Sequence, residues 1–228
     1  MAQLKNNSGR ARTAIIAMSF FFGISIISIL VELSQYNLLG RIEAGDFTME
    51  EVENSDLVMS SVAILNIIIN VTSIVFFIMW FRRAYYNLSQ VSAEAASFGE
   101  GWAAGAWFVP ILNLFRPFQI MKEIWYGTQA NSGSEEEQQP GMILGFWWTF
   151  WVVGGFLSNA SMRMTFGDPE IEQLRTSALL SIASGIVHIV AFILILMIIR
   201  KVSGFEKTMF ENRNEIDIAE HLIANPNS

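Results

Sequence analysis

Ser184 and His188 lie four residues apart in the charge-free run SIASGIVHIVAF, so a helix places them on one face. A serine beside an imidazole is the minimum equipment for nucleophilic hydrolysis, and an ionisable group inside a membrane is often functional. A working dyad also needs an exposed serine next to an oxyanion hole. Two groups on adjacent turns of a single helix more often make a local or interhelical hydrogen bond. A structural or proton-relay role is the expected use of this pair, with intramembrane hydrolysis as the remote alternative.

Asn66 and Asn70 repeat the spacing in a second apolar run. Buried amides of this kind bond across helices, each contributing about 0.6–2 kcal/mol. The other reading is a polar lining for a water-filled path, and Ser158 and Asn159 could join either arrangement. GEGWAA has the glycines of a dinucleotide fingerprint but no preceding strand, so it is discarded. The sequence has no HExxH, P-loop or metal-ligand spacing. It has no cysteine, which excludes disulfides, thiol nucleophiles and thiolate metal sites. No cofactor and no enzyme activity are expected.

These residues must be held by membrane helices. Of the 228 residues 52% are apolar and 15% charged, against about 25% charged in soluble domains. The charges avoid 13–31, 57–81, 138–162 and 176–199. Each run reaches the roughly 20 apolar residues that cross about 30 Å of hydrocarbon. The expected fold is an all-α polytopic bundle with four spans (13–31, 57–81, 141–161, 177–199), within a transmembrane domain 13–202. A short N-terminus (1–12) and a tail (203–228) flank it. Lys5, Arg10 and Arg12 precede the first run, but that run is too long for a signal peptide and lacks a small-residue cleavage site. It is read as an uncleaved span.

Four spans separate the charges sharply. The N-terminus, residues 82–137 and the residues from Arg200 onward carry eleven of the Lys and Arg, and the connections 32–56 and 163–175 carry three. Basic segments stay cytoplasmic. Both termini are therefore expected inside, in a cell (inner) membrane. The outer connections also hold ten acidic residues, and the whole formal charge of −7 falls there. Solubility of exposed loops is the plain reading of those acids, and a weak attraction for cations the sharper one. Arg82, Arg83, Arg116 and Lys122 gather on the inner side, where anionic headgroups contribute about 1 kcal/mol per base. A pairing of Arg116 with Glu94, Glu100 or Glu123 would pin the nearby segment to the bundle.

That segment, 101–125, reads GWAAGAWFVPILNLFRPFQIMKEIW. Its charge-free part, 101–115, reaches only about 22 Å as a helix, and Pro110 would break it. A helix from Pro110 would put Ile111, Leu114, Phe115, Phe118, Met121 and Trp125 on one face. Ile120 and Ile124 would lie toward the polar side, and Pro117 would kink it. Trp102, Trp107 and Trp125 suit the membrane interface. The expectation is an amphipathic or re-entrant element between the second and third spans. The glycine pairs 101/105 and 141/145 match a small-residue packing pattern, though weakly. SGSEEEQQPG reads as a solvated linker. EIDIAEHLI, with Ile216, Ile218, Ala219, Leu222 and Ile223, reads as a short tail helix.

Together, WFRRAYYNL and the 101–125 segment resemble the bacterial membrane family DUF4328, a domain of unknown function. Trp80, Arg83, Asn87 and Leu88 match in the first stretch. Gly101, Trp102, Trp107, Phe108, Val109, Pro110, Asn113, Leu114, Pro117, Met121, Glu123 and Trp125 match in the second. The resemblance covers residues 60–200, with the first span expected to belong as well. It implies a helical membrane domain and assigns no activity. The leading reading is a non-enzymatic module that binds partners or lipid, as an envelope sensor or scaffold. A small oligomeric channel or transporter is the alternative, using Pro110, Asn66, Asn70 and His188. The implied partners are the bilayer and anionic lipid at its inner face, with a homo-oligomer or protein partner left open and no nucleic acid.

Overall fold

The computed structural model describes residues 4–133 and 138–224, with side chains described through residue 213. The described residues are helical, with no strand among them. In order come α1 (Ser8–Glu43), α2 (Met49–Val91), the single turn α3 (Trp102–Gly105), a 3-10 turn (Leu112–Leu114), α4 (Arg116–Asn131), α5 (Met142–Met164) and α6 (Ile171–Ala224). Of these, α1, α2, α5 and α6 are long and apolar enough to cross a membrane, and they cover the four expected spans except for Gly141. The run Ser134–Glu137 of the expected linker lies outside the described residues. The tail helix is the end of α6 rather than a separate element, and the side chains of its apolar residues lie outside the described ones.

The acidic connection 32–56 is not the loop that its charge suggested. It is mostly helix, and only residues 44–48 link α1 to α2. Local chemistry fixes this turn. Gly45 adopts φ 74°, and the Gly45 and Asp46 amides return to the carbonyls of Ile42 and Arg41 at 3.0 and 2.9 Å. That is the 5→2 and 6→1 pattern of a Schellman ending, which needs a left-handed residue. Thr48 then caps α2: its hydroxyl accepts from the Glu51 amide at 3.2 Å while Glu51 accepts from the Thr48 amide at 3.0 Å. This reciprocal capping box satisfies two donors that a helix start leaves free. Arg41 closes the turn on the Glu51 carboxylate at 2.7 Å.

The chain forms two compact units. One is Met1–Ile15, Val75–Gly145 and Leu196–Ser228; the other is Ile16–Ile74 and Phe146–Ile195. The first has a dense core. Trp80, Phe81, Tyr85, Leu88, Ile120, Met121, Ile124, Trp125, Ile198 and Val202 are completely buried. The α4 positions 117, 120, 121, 124, 125 and 128 are buried at helical spacing, so this face packs inward. Gly127 lets it approach Leu88 more closely than any side chain would.

The second unit is built for lipid. Phe20, Ile27, Leu30, Ile64, Ile67, Phe156 and Ile186 point outward, the reverse of a soluble bundle. Its interior contacts combine aromatic edges and hydroxyl bonds. Phe21 meets Phe192 at 4.5 Å between ring centroids. The Ser73 hydroxyl donates to the Ala17 carbonyl at 2.9 Å, and the Ser161 and Ser177 hydroxyls lie 2.9 Å apart. Of the expected pairs, only Gly141 makes a close approach, to Tyr126 in the first unit. Gly101 and Gly145 face open space, whereas Gly185 meets Ile29 and Gly154 meets His188.

A Cβ at Gly154 would lie 2.7–2.9 Å from three atoms of the His188 ring, while one at Gly155 would meet nothing within 4 Å. Gly154→Val is expected to destabilise the protein by about 1–3 kcal/mol, the usual penalty of overpacking. Gly155→Val serves as the control for the change in helix propensity. Thermal unfolding in lipid nanodiscs checks this; equal midpoints for the two variants would refute the close packing.

Candidate functional site

Within the first unit, residues 101–115 make no continuous helix. The four-residue α3 ends at Gly105, irregular turns pass Pro110, and the 3-10 turn leads into α4. The expected amphipathic helix from Pro110 therefore begins later, at Arg116. Pro117 lies in its first turn, where the missing N–H is harmless, and so does not kink it. The facing is corrected too. Ile120 and Ile124 are buried with Met121 and Trp125, while Ile111, Leu114 and Phe115 are exposed. The helix presents its apolar face to the unit's core. The turns before it present theirs outward, with Phe108 and Ile111 74% and 75% exposed.

Aromatic contacts hold this segment. Trp107 meets Phe77 and Phe81 edge-on at 5.4 and 5.9 Å. Arg116 does not form the expected ion pair. Its guanidinium lies over the Phe98 ring at 4.0 Å and near Trp102 at 5.9 Å, an arrangement that a planar cation favours. Glu100 instead lies 3.6 Å from Arg82. Glu123 accepts from the Tyr85 hydroxyl at 2.7 Å and the Ser97 amide at 3.1 Å, and Tyr85 accepts in turn from the Phe98 amide at 2.9 Å. Burial first, and then the Glu123 carboxylate, raises the Tyr85 hydroxyl well above its usual range. Trp125 donates its indole N–H to the Gln139 carbonyl at 3.1 Å.

A second buried network joins distant parts of the chain. Asn87 accepts from the Lys5 amide at 3.0 Å and donates to the Lys5 carbonyl at 2.9 Å. Its amide also donates to Glu206 Oε1 at 3.0 Å, while Asn7 donates to Oε2 at 2.9 Å and to the Trp80 carbonyl at 3.3 Å. Glu206 lies beyond the apolar span 177–199 and is almost fully buried. Burial raises its carboxyl to about 7, although the Asn7 and Asn87 hydrogen bonds and the Arg83 charge pull it down.

The first unit thus gathers the motif residues Trp80, Arg83, Asn87, Trp102, Trp107, Pro110, Asn113, Arg116, Pro117, Glu123 and Trp125. Trp80, Asn87, Pro117 and Trp125 are buried, whereas Pro110 is exposed. Sequence reasoning missed Asn7 and Glu206 as partners of Asn87. A lone carboxylate shortly after a basic span boundary was the available signal.

Asn66, Asn70, Ser184 and His188 belong to the second unit, where they line one cavity of about 250 Å³. Ser184 donates to the Gly154 carbonyl at 2.9 Å and lies 3.3 Å from His188 Nδ1. The serine is buried, and its bond joins α6 to α5. The His188 ring meets Trp151 edge-on at 5.7 Å. Asn66 donates to the Ser28 hydroxyl at 2.8 Å, joining α2 to α1.

A family model described as Domain of unknown function (DUF4328) matches residues 44–204. The match begins after Glu43, the last residue of α1, so the first span lies outside it, contrary to the expectation from the motifs. No curated protein and no solved structure matches the chain.

The Glu206 network predicts a pH signature. A carboxyl raised from 4.5 to about 7 is held protonated by the fold between those values. The native state then binds more protons than the unfolded one, and stability falls as pH rises through this window. The full change is on the order of 3 kcal/mol, from a shift of about two units or more at 1.36 kcal/mol each. Unfolding of the wild type and Glu206→Gln between pH 4 and 8 should show the loss in the wild type alone. Parallel profiles would refute it.

Proposed function

The chain belongs to the DUF4328 family, and we propose that it is a non-enzymatic membrane module that seats the element 101–118 in one lipid interface. The family description gives no activity, so the reading rests on the site. The observation that carries it is the contiguous exposure of Phe108, Val109, Ile111, Leu114 and Phe115 on turns too short and too irregular to span. Large apolar side chains grouped this way seek a membrane or a partner. Lipid is favoured because Arg82, Arg83, Arg116 and Lys122 lie in the same unit and suit anionic headgroups.

Trp102, partly exposed beside this patch, belongs where an indole has one wet and one apolar side. Irregular backbone is tolerated at membrane depth only where protein or water satisfies it. The hydrogen bonds of Asn113 to the Val109 carbonyl at 2.8 Å and of Leu114 to that of Ile111 at 3.2 Å provide part of this. The element would lie on the cytoplasmic side together with both termini, as the excess of Lys and Arg in those segments favours. In this role the patch anchors and orients the bundle, and changes in headgroup charge are what it would sense.

Because the chain has no cysteine, single-site labels test this directly. A nitroxide at Ile111→Cys in anionic nanodiscs should be more accessible to oxygen than to a water-soluble nickel chelate. One at Gln119→Cys, also exposed, should show the opposite order. Water-like accessibility at both sites would remove the lipid reading, and labelling of Gln119→Cys from the cell exterior would reverse the orientation.

A further inference from the structure

The second unit contains a carboxylate that neither the interfacial reading nor the family motif uses. Glu32, one residue past the first apolar run, lines the 250 Å³ cavity together with Asn66, Asn70, Ser181 and His188. It is half-buried and takes part in none of the ion pairs among the described residues. The Ser181 hydroxyl lies in the same cavity wall. A sequestered carboxylate ordinarily has a cationic partner, because an uncompensated charge away from water is costly. No Lys or Arg lines this cavity. Apart from the His188 imidazole, the cavity wall supplies no basic group, and a cation from outside the wall would complement Glu32.

Size and lining decide what kind of cation fits. The cavity equals the liquid volume of about eight waters, at roughly 30 Å³ each. A bare metal ion draws its oxygen ligands to about 2.0–2.6 Å and would rattle in such a space. The described residues also offer no group of three or more His, Asp or Glu to hold one. The remaining wall combines serine hydroxyls and aliphatic side chains with three aromatic rings, Phe21, Trp151 and Phe192, the last two with centroids 6.4 Å apart. Indole and phenyl faces attract ammonium groups and pack against alkyl carbon. One carboxylate, several amide and hydroxyl oxygens and an aromatic wall match a molecule with a cationic head and a short apolar body.

Access and supply are present in the same unit. A second cleft, about 300 Å³, shares Ser28, Glu32 and Asn66 with the cavity and opens along α1 and α2. The Asn66–Ser28 hydrogen bond crosses the shared wall, so its release would widen the passage to Glu32. Both acid-rich connections, 32–56 and 163–175, belong to this unit, and such a field concentrates cations nearby.

We propose that this cavity is a binding site for a small organic cation of the alkylammonium class, its head on the Glu32 carboxylate and its body against Trp151. Asn66 and Asn70 supply further oxygen acceptors for the N–H donors of the head. Binding alone is asserted, and it does not depend on how residues 101–118 meet lipid.

The test uses the full chain in nanodiscs at pH 7, titrated calorimetrically with n-propylammonium chloride at ionic strength held constant with sodium chloride. The expected result is saturable binding of one equivalent. Glu32→Gln should weaken it at least tenfold, and Glu50→Gln, an exposed acid in the same connection, should leave it unchanged. Asn70→Leu, close in size but without the amide, should also weaken binding, and it carries the test if Glu32→Gln does not fold. The site is overturned if the wild type shows no saturable binding. It is equally overturned if Glu32→Gln and Asn70→Leu both bind as tightly as the wild type, or if sodium or potassium alone gives the same saturable signal.

Discussion

A backbone in hydrocarbon has no water to bond, and the rest of this structure follows from that constraint. Every long element is a helix, and many of its hydroxyls turn back on their own carbonyls four residues earlier. Ser25, Ser61, Thr72 and Thr128 do this at 2.5–2.8 Å. A serine that spends its proton this way is nearly apolar to its neighbours. The polar groups left over, chiefly Asn66, Asn70, His188 and Glu32, then collect in one cavity rather than facing lipid. The first unit obeys the same rule by other means. There the side-chain amides of Asn7 and Asn87 donate to the Glu206 carboxyl, and Tyr85 and Glu123 accept from the backbone of the turn at Phe98 and Ser97.

The two units divide the chemistry between them. In the first, tryptophans and amide networks close a core around α4 and leave one short apolar patch outside. In the second, most of the exposed large side chains along the spans are apolar, and several polar residues line the interior cavity. The distinction is visible in the glycines. Gly127 admits Leu88, an aliphatic contact in a dry core, whereas Gly154 admits the His188 ring beside the cavity.

The spans, their number and their helical class were legible because hydrocarbon thickness filters composition so strictly: four charge-free runs leave few alternatives. Asn66, Asn70, Ser184 and His188 stood out for the same reason, as polar residues where few are tolerated. Less legible was anything set by the far partner. Helical periodicity placed Ile120 and Ile124 on the polar side because the phase was counted from Pro110, ahead of the true helix start at Arg116. Arg116 was matched to acids close in sequence, but Phe98 offered a flat surface and Arg82 had the better approach to Glu100. Glu32 was counted as one more loop acid, because α1's continuation past the apolar run is decided by the cap at Gly45. Asn7 and Glu206 lie 199 positions apart, and no local pattern joins them.

The short turn between α1 and α2 has a mechanical consequence. Since α1 runs without a break from its lipid-facing part to Glu43, and α2 from Met49 into its own, the acidic residues ride on rigid extensions of the spans. A helix is stiff in torsion as well as in bending, and each residue sets the next by about 100°. The azimuth of each carboxylate on these two helical extensions is therefore geared to the azimuth of the side chains that line the cavity. A load applied to Glu50 or Glu53 is delivered to Asn66 as rotation or tilt, whereas a slack loop would dissipate it. In this second unit the connection acts as a lever, with its fulcrum at the membrane surface.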